Sequence, residues 1–421
     1  MSKPSTVTSQ AVLRVGIRTP NFRRLAYSWM LSLCGDGIRL LALPLYVAVE
    51  SRSPLAAAAV AASEALPWLL SALPAGALVD RLPPRTVLIA SHAFRAGTSA
   101  LLAALVTAGM SSVALLCVFA FLLTTAETFG DPASQVMMVH LAGPDELEAA
   151  NSRFYASSTI ALTLIGPMAA GVVFAIGPAW VFTVVSVAFS LAALFAATLP
   201  AFTVQASDGV QLVSGIADSA RMLFGHRGLR TLLSMSMICS IASSVFNTLL
   251  PLYAVSELKL TSHTIGLLVM VSGAACLTGT WIAPRLAARV SDGPVLVSGM
   301  GLIGTSFILL GLYPFIPVLI VGIVVSGLGV GLWNVLSSTR RQRLTPAGAM
   351  GRVSGVYRMV AWGLMPVGSA LAGVTAAATT LRTPLLAAGV ITIAGLGVLA
   401  VPLLRSGAPS AARTVQVPSG M

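Results

Sequence analysis

The stretch FRRLAYSWMLSLCGDGIRLLALPLYVAVE, from Phe22 to Glu50, constrains this chain more than any other. It is long enough to cross a hydrocarbon core of ~30 Å, which takes about 20 mainly apolar residues. Arg23 and Arg24 stand at its entrance, while Asp36 and Arg39 lie inside it. At about 1.5 Å of rise per residue, Asp36 falls roughly 16 Å beyond Leu25, near the midplane of such a core. Charge at that depth costs at least ~2.5 kcal/mol on insertion scales, so it is seldom kept without a use. The closing string, LPLYVAVE, returns almost unchanged as LPLYAVSE from Leu250 to Glu257, offset by 207 residues. A charged apolar segment that recurs half a chain later points to a duplicated membrane protein.

Composition agrees. The chain is 56% hydrophobic and 9% charged over 421 residues, more apolar than a soluble core needs. The net charge of +12 is not gathered into one basic domain, so no nucleic-acid partner is implied. The positive residues recur instead in short clusters between apolar runs. Cys34, Cys117, Cys239 and Cys276 fall within apolar runs without paired spacing and read as small hydrophobic residues.

In chain order, residues 1–21 read as a polar cytosolic tail with no cleavable signal peptide ahead of the first span. Six spans follow in 22–200, at about 24–49, 55–79, 87–108, 112–139, 154–176 and 179–200. Residues 201–228 form a cytosolic linker whose second part, LVSGIADSARMLFGHRGLR, has apolar positions at helical spacing and suits the membrane interface. Spans 7 to 12 occupy 229–404, at about 231–254, 263–284, 294–312, 316–338, 354–377 and 384–404, before a polar tail at 405–421. With both ends inside, 19 of the 25 Lys and Arg residues lie on the cytosolic side, and only Arg52, Lys259 and Arg382 lie outside. That asymmetry sets the orientation, and both ends inside requires an even number of spans.

The repeat extends well past LPLY. Leu78, Arg81, Val87 and Leu88 match Leu286, Arg289, Val295 and Leu296 at an offset of 208. Pro144, Tyr155, Gly166 and Gly171 match Pro346, Tyr357, Gly368 and Gly373 at an offset of 202. Six spans per copy leave both copies in the same orientation, a parallel repeat. The expected fold is an all-α integral membrane protein with twelve transmembrane helices, arranged as two six-helix bundles.

These residues resemble the major facilitator superfamily. The loop GALVDRLPPR, from Gly76 to Arg85, is similar to that superfamily's loop between spans 2 and 3, with Pro83 and Pro84 as departures. The segments DPASQVMMVHLAGPDELEAANS and RRQRLTPAGAMGRVSGVYRMVAWGLMPVGSALAG resemble the branch containing macrolide and siderophore exporters, as do SLCGDG and Phe94–Ala96. LIGPMAAG resembles the span 5 signature of antiporters, through Gly166, Pro167 and Gly171. The resemblance covers about residues 22–404. It implies a proton-coupled antiporter working by alternating access, with spans 1, 4, 7 and 10 lining the central cavity. It also implies a cytosolic gating loop of Gly76, Asp80, Arg81 and Arg85, joined by Asp131.

Charge arithmetic stands beside that resemblance. Spans of the first half carry Asp36, Glu64, Glu127 and Asp131 against Arg39 and Arg95. A surplus carboxylate in low dielectric favours taking up a proton, which makes Asp36, Glu127 and Glu64 candidates for proton coupling. Asp36 and Arg39 are three residues apart and Glu127 and Asp131 four, so each pair shares a helix face. The alternative for Asp36 and Arg39 is a structural ion pair. Arg95 is expected to pair with an acid across helices, Asp131 with Arg81 or Arg85, and His92 to be a hydrogen-bonded helix histidine.

Spans 7 to 10 carry no acid and offer Phe246, Asn247, Trp333 and Asn334, together with several methionines. Soft and aromatic side chains suit a bulky, amphipathic ligand, and the two asparagines fall on the spans that the resemblance assigns to the cavity. An enzyme would need a nucleophile or metal constellation, but the four histidines (92, 140, 226, 263) are scattered without ligand spacing. The expectation is therefore a monomeric exporter of a hydrophobic or amphipathic small molecule in the cytoplasmic membrane. Protons, substrate and lipid would be its partners, with no cofactor or metal. Import by the same fold, or a transport-inactive membrane sensor, remain the alternatives.

Overall fold

The computed structural model describes residues 16–70, 82–143, 146–202, 212–346 and 350–405. The first half is built from α1 (Pro20–Glu50), α2 (Pro54–Leu70), α3 (Pro84–Thr107), α4 (Val113–Ala142), α5 (Leu147–Ile160), a π-helical turn (Ala161–Ile165), α6 (Gly166–Ile176) and α7 (Pro178–Ala197). After α8 (Leu212–Gly225), the second half comprises α9 (Arg227–Ser256), α10 (Ser262–Val290), α11 (Asp292–Leu312) and α12 (Ile316–Leu344). It ends with α13 (Met350–Trp362), α14 (Met365–Ala378) and α15 (Arg382–Arg405).

Helix starts follow local chemistry. Proline opens α1, α2, α3 and α7, where its missing N–H costs nothing and its fixed φ suits the first turn. The departure at Pro83–Pro84 is thus a helix start, with Pro83 extended and Pro84 inside the first turn of α3. Thr19 and Ser112 cap α1 and α4 by accepting from the N–H groups of Phe22 and Leu115. Among the described residues, eleven helical stretches are long and apolar enough to cross a membrane. The twelfth span is α2, whose described part is 17 residues long, or about 26 Å.

Two spans differ from the sequence expectation. The fifth begins at Leu147 and contains the π turn, because the ring of Pro167 must clear the carbonyl four residues back and a wider turn gives it room. The eleventh breaks between α13 and α14, where Pro366 in the first turn of α14 cannot donate to the preceding turn. Within the linker, residues 203–211 lie outside the described part. The helix α8 packs on α13 and α9, and Leu223 is fully buried in the apolar core of the second half.

The repeat is visible in the packing. Gly171 on α6 lies against Gly266 on α10, and Gly373 on α14 lies against Ala58 on α2. Ala58 and Gly266 are themselves 208 residues apart, the offset of the repeat. Each half therefore lends its fifth span to the second span of the other. The end of α9 and the start of α10 complete this seam against α1 and α7, since Ala254 and Ile265 of the second half join an apolar core with Leu43, Tyr46 and Phe182 of the first. The other two apolar cores each belong to one half.

Candidate functional site: an arginine shared by three carboxylates

Three helices meet at Arg39, and a fourth joins them through Asp36. From α1, Asp36 and Arg39 point the same way because three residues make nearly one turn. Arg39 Nη1 donates to Glu64 Oε1 on α2 at 2.9 Å and to Thr124 Oγ1 on α4 at 3.2 Å. Its Nη2 donates to Glu127 Oε2 on α4 at 2.9 Å and to Asp36 Oδ1 at 3.3 Å. Arg95 on α3 donates to the same Asp36 oxygen, and its other terminal nitrogen reaches Ser32 Oγ on α1 at 3.0 Å. The Arg95 guanidinium lies over the ring of Phe189 on α7, 3.9 Å from its centroid.

Burial makes this cluster consequential. The side chains of Asp36, Arg39 and Arg95 are each 1% exposed, Glu64 is 11% and Glu127 is 15%. Asp36 is the seventeenth residue of the 31-residue α1, so the cluster sits near mid-helix. Separating any one member there leaves an uncompensated charge in low dielectric, which is strongly destabilising. Three carboxylates meet two guanidiniums, so the linked cluster carries one surplus negative charge when all are ionised. Asp131 lies one turn beyond Glu127 and is part-buried.

The structure thus brings together Asp36, Arg39, Glu64, Arg95 and Glu127, which the sequence placed on four separate spans. It does not join Asp131 to Arg85. Arg85 Nη2 donates to the Ala197 carbonyl at 2.6 Å and Arg24 Nη1 to the Thr198 carbonyl at 3.3 Å, so both cations serve the open carbonyls at the end of α7. Gly76, Asp80 and Arg81 lie outside the described residues. His92 departs from expectation: it is 2% exposed, yet neither ring nitrogen has a partner among the described residues. Its spacing puts it on the Arg95 face, but spacing supplies no acceptor for it.

The antiporter-like motif is a packing device in this geometry. Gly166 lies against Gly37 of α1, which lets α1 and the π turn approach backbone to backbone, and Gly171 forms the seam with α10. In the second half, Asn247 and Asn334 are exposed. The cavity expectation fails for their neighbours. Phe246 stacks on Phe307 with centroids 5.1 Å apart, and Trp333 is 3% exposed, both inside the second-half core. Adjacent helical residues point about 100° apart, so one of each pair takes the core and the other the surface. Thr124, Ser32 and Phe189 are further members of the cluster that charge arithmetic does not reach. Thr124 and Ser32 sit three and four residues before Glu127 and Asp36, a same-face spacing that marks them, whereas nothing local marks Phe189.

A family model described as transmembrane secretion effector matches residues 14–416. The multidrug efflux pump Tap of Mycobacterium tuberculosis is 28% identical over 414 residues, covering 93% of this chain and 96% of that protein. Tap of Mycolicibacterium fortuitum is 27% identical over 385 residues, covering 88% and 92%. Among solved structures, the nucleoside transporter NupG superposes with a TM-score of 0.74 at 17% identity, covering 91% of this chain and 99% of that one, a likeness of fold.

Proposed function

This chain belongs to the transmembrane secretion effector family of the major facilitator superfamily, and from that premise we propose that it exports a hydrophobic or amphipathic small molecule in exchange for protons. It is a membrane transporter and not an enzyme. The observation that carries the exchange reading is the buried cluster of three carboxylates on two guanidiniums. A surplus carboxylate inside a membrane bundle can be neutralised by one proton, and that neutralisation changes what Arg39 is held by. Export is supported by the name that the Mycobacterium and Mycolicibacterium relatives carry.

The two halves share apolar packing at the end of α1 and α9 remote from the chain's termini. With both termini cytosolic in the cytoplasmic membrane, as the Lys and Arg distribution favours, that end is the external one. The state is then closed outside, and alternation breaks the glycine seams between α6 and α10 and between α14 and α2. The transporter acts as a monomer in the bilayer, with substrate and protons as its partners. The test is a resistance panel in cells with and without the chain, followed by proteoliposomes with an imposed pH gradient. Accumulation of the same compounds in both strains, or flux indifferent to the gradient, refutes the reading.

A further inference from the structure

We propose that Glu64 and Glu127 form one proton-binding pair on the Arg39 fork, while Asp36 is a fixed anion that positions Arg39 and Arg95 and does not itself exchange the proton. The proposal deepens the proton-exchange reading and rests on it. The first ground is the distribution of donors. Asp36 Oδ1 accepts from both guanidiniums, and Arg95 is itself held by Ser32 and by the Phe189 ring. Among the described residues, Glu64 and Glu127 accept from Arg39 alone, each from a different terminal nitrogen. Protonating Asp36 would weaken two charge-assisted bonds, whereas protonating either glutamate weakens one.

The second ground is access. Asp36 is 1% exposed, and the two glutamates are the most exposed members of the cluster at 11% and 15%. The third is local charge. At the Arg39 fork itself, two glutamates share one guanidinium that Asp36 does not relinquish, so one proton balances the pair. When a proton joins a carboxylate oxygen of one glutamate, that residue becomes a neutral acid and Arg39 turns to serve the other. Because α2 carries Glu64 and also packs against α14, the exchange acts on the helix that forms the seam with the other half.

Among the described residues, the charged surroundings are few. Asp36 and Arg39 face the pair from α1, Arg95 stands behind Asp36 on α3 with His92 one turn away, and Asp131 lies one turn along α4. On α5, Arg153 is turned to the Ile17 carbonyl. The second-half helices packed on α2, which are α9, α13 and α14, carry no acidic residue.

The experiment is infrared spectroscopy of the purified full-length protein in lipid vesicles without substrate, following the carboxylic-acid C=O band as pH is varied. In wild type the titrating band should shift on labelling with carboxyl-isotope glutamate, a result that needs no mutation. It should disappear in Glu64→Gln and in Glu127→Gln, and persist with a displaced midpoint in Asp36→Asn. A wild-type band that is absent or unmoved by glutamate labelling overturns the proposal. So does a band lost in Asp36→Asn or kept in either glutamine variant. Ethidium flux under an imposed pH gradient, run on the same vesicles, separates the two ideas. A glutamate band with gradient-indifferent flux leaves the proton-binding pair standing and removes the exchange reading.

Discussion

Gly171 and Gly266 meet with no side chain between them, joining α6 of the first half to α10 of the second. A Cβ on Gly171 would stand 2.8 Å from the Ser262 carbonyl oxygen and 2.9 Å from the Gly266 Cα, closer than real contacts allow. Since the neighbours are backbone, they cannot swing aside.

Gly171→Leu should therefore push this seam open while leaving each bundle's own core intact. We expect transport to fall at least roughly tenfold, about 1.4 kcal/mol in rate terms, with thermal stability of the purified protein nearly unchanged. Gly97→Ala is the control, because nothing lies within 4 Å of a Cβ built there. Equal loss in both variants, measured in vesicles at matched protein amounts, would count against the seam as a moving contact.

Removing the central cation should be worse than removing one acid. Arg39→Gln strands Glu64 and Glu127 beside a neutral side chain and leaves Asp36 to Arg95, and breaking such a buried pair costs about 3–5 kcal/mol. The variant should express poorly or melt early by fluorescence-monitored unfolding. Adding Glu127→Gln to it should recover part of the loss. A double variant no more stable than Arg39→Gln alone would show that the carboxylates are not what Arg39 restrains.

Glu127→Gln alone should leave a folded protein that equilibrates substrate downhill but cannot concentrate it against a gradient. Changing the pH should not restore concentration, because the titrating group is gone. Uphill efflux of ethidium by this variant in vesicles would remove Glu127 from coupling.

Asn247 and Asn334 are the exposed polar members of two neighbouring pairs whose aromatic partners are buried. Asn247→Ala and Asn334→Ala should alter which compounds are exported, with little effect on protein abundance. Phe246→Ala should instead destabilise by about 3–5 kcal/mol, as a truncated core aromatic does. Unchanged resistance profiles in both asparagine variants would place the substrate elsewhere.

Orientation is open to a direct check. Lys259 lies in the short connection between α9 and α10, with a positive φ of 55°. A reporter inserted there should read as external, and reporters within 203–212 or after Gly407 as cytosolic. A cytosolic signal at Lys259 would overturn the assignment of faces.

The membrane class, the repeat and the identity of the buried ions are all legible in the chain before it folds. Each follows from local or one-dimensional chemistry: apolar length against bilayer thickness, recurrence of LPLY, and the cost of burying Asp36, Glu64, Arg95 and Glu127 without use. Spacing along one helix could show that Asp36 and Arg39 share a face. It could not show that Glu64 and Glu127, 25 and 88 residues from Arg39, would divide its two terminal nitrogens between them. That depends on how α1, α2 and α4 pack. The same limit explains Phe246, Trp333, Arg85 and His92, whose surroundings come from other helices. A residue type fixes what a side chain can donate or accept, but only the packing of distant segments decides what stands within 3 Å of it.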